Sequence, residues 1–360
     1  MRKYRNQVVA GLLFISLVLI AVIAVTGAEA LATRLTNFPL WILAPVFLLK
    51  CVNWSLRYLE WRYFLGVIGV RTARGLAARP VPSPEGPPTI RERDSATLWL
   101  SGLSLAVSPG KLGEVLKALV LKNLTGVTFS RAVPVVFMER LVDGLAVIPL
   151  TTLAMLAAGS SLHTGDTTLR DVRAVLVGVT LALTTGVILV QIKPLAYRVL
   201  DLVHGWPGLR RIHGALCTFY ESAFDLIKLR HLIPTFVLGF SAYTCDCIGF
   251  YLLLTGLGLH GTWTLFAEAS FILGFSVIIA SISALPGGAG GRELTIGTLL
   301  AGVAGLSKTD AGTATFLISL FQMWVGVLLG LVVIALFRET LFPPALEKEI
   351  AAYEAARQPR

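Results

Sequence analysis

The sequence predicts an all-α polytopic membrane protein with about six spanning helices, two re-entrant or broken helical hairpins and an inverted repeat. Three observations carry that expectation. Of the 360 residues, 55% are hydrophobic and only 14% charged, with a mean hydropathy of +0.76, a balance that a water-soluble domain of this size does not need. Long apolar runs alternate with basic connections. Twice a proline-glycine sequence interrupts apolar chain, at Ser108-Pro109-Gly110-Lys111-Leu112-Gly113-Glu114 and at Leu285-Pro286-Gly287-Gly288-Ala289-Gly290-Gly291-Arg292-Glu293. Proline removes a backbone donor and glycine loosens the helix, so in hydrocarbon such a break persists only where protein or a water-filled cavity satisfies the freed groups. Each break therefore marks a candidate site.

The chain opens on Met1-Arg2-Lys3-Tyr4-Arg5, followed by an apolar run from Val8 to Ala28. The layout is that of a signal peptide, but a run of about 20 residues exceeds a typical signal core and leads into further apolar segments, so it reads as an uncleaved first helix. Spanning helices are predicted over 8–28, 38–57, 131–158, 173–192, 233–257 and 313–337, each able to cross about 30 Å of hydrocarbon. The first break has arms at 95–108 and 110–123. Each arm, about 14 residues and about 21 Å long, is too short to cross alone, which predicts a re-entrant hairpin. The second break has arms at 264–285 and 286–305; its first arm is long enough to cross, which leaves spanning and re-entry both open. Either way, a pair of arms returns the chain to the side it came from.

Loop charge sets the orientation. The connection from Arg57 to Asp94 carries Arg57, Arg62, Arg71, Arg74, Arg79, Arg91 and Arg93, and that from Lys193 to His231 carries Lys193, Arg198, Arg210, Arg211, Lys228 and Arg230. Both are expected to be cytoplasmic, whereas Ala28 to Phe38, Gly159 to Asp171 and Leu257 to Thr262, poor in Lys and Arg, suit the outer side. The net charge of +10 fits basic loops against an anionic inner leaflet; no soluble basic module suggests nucleic acid. The expected organisation is a first membrane repeat over 1–158 with a cytoplasmic linker at 58–94, a second, inverted repeat over 172–337 with a cytoplasmic elbow at 193–231, and a cytoplasmic tail at 338–360. Both termini then face the cytoplasm of a bacterial-type inner membrane. Each half runs helix, helix, hairpin, helix, but starts on opposite faces, a recurrent transporter plan.

Taken together, the first break, Glu139-Arg140-Leu141-Val142-Asp143 and the second break resemble, in order and spacing, the flippase-like transmembrane domain of the lysylphosphatidylglycerol synthase family. The likeness covers nearly the whole chain and rests on three ordered motifs. It implies a domain that moves lipids between leaflets. In the synthases that domain precedes a soluble aminoacyl-transferase domain; this sequence ends soon after Phe337, so a stand-alone member is expected, with aminoacylated phosphatidylglycerol as one candidate cargo among several. The implied partners are a membrane phospholipid or lipid-linked substrate and a separate lipid-modifying enzyme.

An ionisable group at bilayer depth demands a partner or a cavity. Glu139 and Asp143, spaced i, i+4, share a helix face, and Arg140 can pair with Asp143 at i, i+3. They form either a charged wall of a headgroup cavity or a self-neutralising packing cluster. The helix after Pro109-Gly110 offers an anion site at its N-terminus, to which Lys111 adds a charge. In the plainer alternative Lys111 and Lys117 snorkel to an interface while Glu114 caps the helix. Arg292 can hold a phosphate or carboxylate through two parallel hydrogen bonds, or Arg292 and Glu293 pair with charges of the other hairpin. Asp246, in Thr244-Cys245-Asp246-Cys247, is a candidate for proton coupling or a hydrogen-bonded structural aspartate; Glu268 lies nearer a helix start. The helix breaks themselves comprise Pro109, Gly110, Gly113, Pro286, Gly287, Gly288, Gly290 and Gly291. Gly326-Val327-Leu328-Leu329-Gly330 is a helix-packing pattern.

Enzyme signals are thin. The histidines at 163, 204, 213, 231 and 260 and the cysteines at 51, 217, 245 and 247 have no metal-ligand, triad or disulfide-frame spacing. Neither an ATPase phosphate loop nor a dinucleotide fingerprint is present, and no cofactor or metal is expected. The resulting expectation is a lipid translocase in which Lys111 and Arg292 hold an anionic headgroup while Glu114, Glu139, Asp143 and Glu293 offset those charges in the empty cavity. An ion-coupled small-solute transporter or channel is the alternative, and a membrane enzyme using Glu114 or Glu293 as a base on a lipid-linked substrate is the third reading.

Overall fold

The structure, a computed structural model, describes residues 2–74, 87–105, 112–159, 167–194, 197–198, 213–283 and 285–341, without side-chain detail at 2–11, 15, 112–115, 167–171 and 213–218. Helix α1 (Arg2–Thr26) ends at Gly27, whose φ of +86° turns the chain. A bend of 86° leads into the short α2 (Ala28–Thr36). A 3-10 turn at Leu40–Ile42 starts α3 (Leu43–Val67). Two three-residue strands follow, β1 (Arg71–Ala73) and β2 (Thr89–Arg91), paired in parallel with Thr72 opposite Ile90. The first hairpin comprises α4 (Glu92–Leu105) and α5 (Leu112–Thr125), and α6 (Phe129–Ala158) closes the first half.

The second half runs α7 (Thr167–Gln191), α8 (His213–Ile227), α9 (Leu229–Gly256), α10 (Trp263–Ile282), α11 (Gly291–Gly302), α12 (Lys308–Leu336) and the single-turn α13 (Arg338–Leu341). Among the described residues, six helices are long and apolar enough to cross a membrane, α10 included. Large apolar side chains such as Leu48, Leu153, Leu181 and Val332 point outward, while Lys50, Glu60, Glu139 and Arg292 are buried. That inversion of the water-soluble pattern is what hydrocarbon surroundings demand.

Two expected boundaries move. The second helix, predicted over 38–57, continues to Val67, so Arg62, expected in the linker over 58–94, is a helical residue like Arg57. Charge does not end this helix because Arg57 and Glu60 pair one turn apart. The elbow expected over 193–231 contains the helix α8, and Leu229–His231 already belong to α9. Most of the proline-rich stretch 79–88 and the tail beyond 341 lie outside the described residues.

Packing exchanges partners between the halves. The second helices α3 and α9 lie against each other at the centre. Each half's fourth helix packs on the first hairpin arm of the other half, α6 on α10 and α12 on α4. The outer pairs match as well, with α1 on α12 and α7 on α6. The two main crossings need small residues: Gly274 of α10 meets Thr151 of α6, and Gly330 of α12 meets Ser104 of α4, where an added Cβ would lie 2.6 Å from the Ser104 backbone nitrogen. Close backbone approach replaces the hydrophobic effect as the source of helix association in lipid.

Opposite ends of the molecule hold separate apolar clusters. One gathers Phe38, Ala158, Leu254 and Leu265, with Leu306 against them; the other gathers Trp61, Val70, Ile90, Val127, Ile227 and Leu341. Both outer ends of the α4–α5 hairpin fall in the second group and both outer ends of the α10–α11 pair in the first. The hairpins therefore enter from opposite ends, and α10 and α11 return the chain to the end it left. Gly330→Ala is expected to lower stability by about 1–3 kcal/mol, whereas Gly326→Ala, whose Cβ would find its nearest neighbour at an ordinary 3.7 Å, should be nearly neutral. Thermal unfolding of the two variants in the same detergent checks this; equal midpoints would contradict the crossing.

Candidate functional site

Between the two apolar clusters the interior turns polar. On α3 the residues Lys50, Asn53, Arg57 and Glu60, spaced 3, 4 and 3, form one stripe that faces inward between Val46 and Trp61. Together with Glu139, Arg140 and Asp143 of α6, Tyr243 and Asp246 of α9, Lys117 of α5 and Arg292 of α11, the stripe lines a cavity of about 330 Å³. Trp54, Trp99, Gln322 and Met323 also contribute to its wall. Gln322 and Met323 belong to a π-helical stretch, Leu320–Trp324, inside α12. The extra residue per turn in such a stretch redirects side chains, a device common at functional sites.

The described ion pairs hold these charges in check. Lys117 Nζ donates to both carboxylate oxygens of Glu139, at 2.9 and 2.7 Å, and sits 3.9 Å from the centre of the Trp61 ring. Lys50 Nζ donates to Asp246 Oδ1 at 3.0 Å, while Asn53 donates to Asp246 Oδ2 at 3.2 Å and to the Ala242 carbonyl at 2.8 Å. Arg57 bridges Glu60, at 3.2 Å, and Asp143, and lies over the Tyr243 ring. Arg140 pairs with Asp143 at 2.8 Å. At low dielectric such pairs repay their desolvation only when the geometry is good and the remaining hydrogen-bonding capacity is met.

The second break is now specific. Gly287 and Gly288 have φ of +61° and +70°, and a Cβ on Gly288 would stand 2.5 Å from that of Ala280, so the turn requires glycine there. Ala289 packs with Val18 of α1 and with Met323 and Val327 of α12. Those residues lie well inside their helices, which places the break at membrane depth. Glu293 then closes it: Oε2 accepts from the Gly290 N–H at 2.7 Å, and Oε1 accepts from Arg292 Nη2 at 3.0 Å and from Ser319 of α12 at 2.9 Å. The N-terminus of α11 is thus occupied by the chain's own carboxylate.

The sequence-predicted residues are distributed unevenly. Lys117, Glu139, Arg140, Asp143, Asp246, Arg292 and Gly287 line one cavity, and Glu293 braces it from behind. Pro109, Gly110 and Lys111 lie outside the described residues, as does the side chain of Glu114, and Gly113 falls in the first turn of α5. Lys117 does not snorkel; it is buried against Glu139. Among the described residues the Arg292–Glu293 pair contacts Met323 and Ser319 of α12, while Lys111 and the side chain of Glu114 of the other hairpin lie outside them. Lys50, Asn53, Arg57, Glu60, Tyr243 and Gln322 were not anticipated as site residues. Their signal was present in the helical spacing of Lys50, Asn53, Arg57 and Glu60 across an apolar run, masked by ending that helix at 57.

A family model described as the lysylphosphatidylglycerol synthase TM region matches residues 8–330. No curated protein matches the chain.

Breaking one buried pair tests how firmly the site is held. Lys117→Met strands Glu139 at depth and is expected to cost about 3–5 kcal/mol, while Lys117→Met with Glu139→Gln should recover a large part of it. Equilibrium unfolding of both variants in detergent measures the difference; equal losses would show that the pair is not coupled.

Proposed function

The chain belongs to the lysylphosphatidylglycerol synthase transmembrane-region family, and on that footing we propose that it is a flippase-like lipid translocase that passes a phospholipid headgroup between leaflets through the cavity between its two hairpins. The observation that carries this reading is a charge-lined cavity held between helices otherwise clothed in large apolar side chains. A lipid headgroup, being polar, can cross such apolar surroundings only through a cavity of this kind. The volume of about 330 Å³ suits a headgroup and not a whole lipid, so the tails stay in the bilayer. A second, apolar cleft of about 230 Å³ between α6, α9 and α10, bordered by Leu153, Phe240, Trp263 and Ala267, has the chemistry of an acyl-chain groove.

The ion pairs supply the mechanism. In the empty cavity each described cation is offset by a carboxylate, which keeps the charges tolerable at depth. An entering phosphate exchanges one of those carboxylates for its own oxygens, so the cation is never left bare. Arg292 is the natural receptor, because its planar fork can take two phosphate oxygens in parallel and Glu293 keeps its bonds to Gly290 and Ser319 when Arg292 turns away. Loop charge supports the placement of both termini on the cytoplasmic side of a bacterial-type inner membrane, with Arg71, Arg74, Arg91 and Lys228 at one end of the molecule.

Reconstituted in vesicles, the protein is expected to accelerate leaflet exchange of a phospholipid labelled on its acyl chain, and Arg292→Ala to slow that exchange by about tenfold or more, the worth of one charge-assisted contact pair. Bleaching of outer-leaflet label by a membrane-impermeant reductant reads the rate. Exchange no faster than in protein-free vesicles would refute the proposal, and an unimpaired Arg292→Ala protein would refute the assignment of the receptor.

A further inference from the structure

The translocase reading leaves the headgroup class open, and two buried atoms on residues of the cavity wall narrow it. Glu60 is 1% exposed; its Oε2 accepts from Arg57, but its Oε1 is buried with no hydrogen-bond partner among the described residues. Arg292 is 7% exposed; its Nη2 holds Glu293, but its Nε likewise has no partner among the described residues. Both side chains line the same cavity. A buried polar atom left without a hydrogen bond is costly, and native structures contain few of them. Here one orphan is a carboxyl oxygen and the other a guanidinium N–H.

A guest that satisfies both must bring N–H donors on a positive group and oxygen acceptors on a negative one. It must also bring no net charge, because the described cations and carboxylates of the cavity already offset one another and an extra charge at bilayer depth would stand uncompensated. A primary ammonium carries three donors, and a phosphate diester carries the acceptors that a guanidinium matches. A quaternary ammonium has no N–H to give Glu60, and an uncharged polyol on a phosphate offers only neutral hydroxyls while carrying a net negative charge. We propose that the cavity is a receptor for a zwitterionic phospholipid headgroup of the phosphoethanolamine type, with Glu60 taking the ammonium and Arg292 the phosphate. The proposal rests on the translocase reading for its route into the site, and on the two orphan atoms for its selectivity.

Vesicles containing the full chain and a trace of acyl-labelled lipid, with phosphoethanolamine, phosphocholine or phosphoglycerol as headgroup and the amine left free, test it. Exchange of the phosphoethanolamine lipid is expected to be about tenfold faster than that of the other two, and Glu60→Gln is expected to bring the ratio towards one. Equal rates for the three headgroups, a faster phosphoglycerol lipid, or a ratio unchanged by Glu60→Gln would overturn the proposal while leaving the translocase reading in place. No acceleration for any headgroup would refute the translocase reading instead. Binding is then read separately, from thermal stabilisation of the detergent-solubilised protein by short-chain lipids bearing the same headgroups. A shift specific to phosphoethanolamine and lost in Glu60→Gln upholds the receptor; equal shifts overturn it.

Discussion

A charge at the depth of a bilayer costs several kcal/mol unless an opposite charge or water meets it, and this molecule carries many such charges between two apolar clusters. Lys50 meets Asp246, Lys117 meets Glu139, Arg57 meets Glu60 and Asp143, and Arg292 meets Glu293. Most of these pairs join different helices, so the electrostatic requirement also fixes how α3, α5, α6 and α9 stand relative to one another. Removing Lys117 would strand Glu139, which couples the integrity of the cavity to the integrity of the fold.

The hairpins solve the companion problem, that of exposing polar groups inside a membrane without exposing backbone to lipid. At the second break, glycines with positive φ allow the turn, Ala289 buries it against α1 and α12, and Glu293 returns a hydrogen bond to the Gly290 N–H. Irregular backbone at this depth is tolerated because protein surrounds it. The exchange of packing partners, α6 on α10 and α12 on α4, gives each hairpin a wall from the opposite half.

Much of this was legible in the chain, for identifiable reasons. Spanning helices declare themselves by length and hydropathy, and the arms of the first hairpin, predicted over 95–108 and 110–123, lie over Glu92–Leu105 and Leu112–Thr125 because a proline-glycine pair between two short apolar runs has few other solutions. Family membership followed from three ordered motifs and is met by the match over residues 8–330. What escaped was the polar face of α3. Arg57 reads as the start of a basic loop unless its partners are known, and two of them, Asp143 and Tyr243, lie on other helices. Pairing across helices is a tertiary fact that local sequence does not carry. The same holds for Glu293, whose glutamate was visible but whose bond to Ser319 depends on how α12 packs. Gln322 needed the π-helical stretch to bring it inward.

The central claim is that the polar residues at mid-depth face a hydrated cavity and not lipid or dry protein. Thiol accessibility tests it most directly. In a background without native cysteines, Gln322→Cys in the cavity wall and Leu328→Cys on the lipid-facing side of the same helix are exposed to a small membrane-impermeant maleimide in intact cells and in inverted vesicles. Modification at 322 from at least one side of the membrane, with none at 328, is the predicted result; a thiol at 322 as unreactive from both sides as that at 328 would contradict the account.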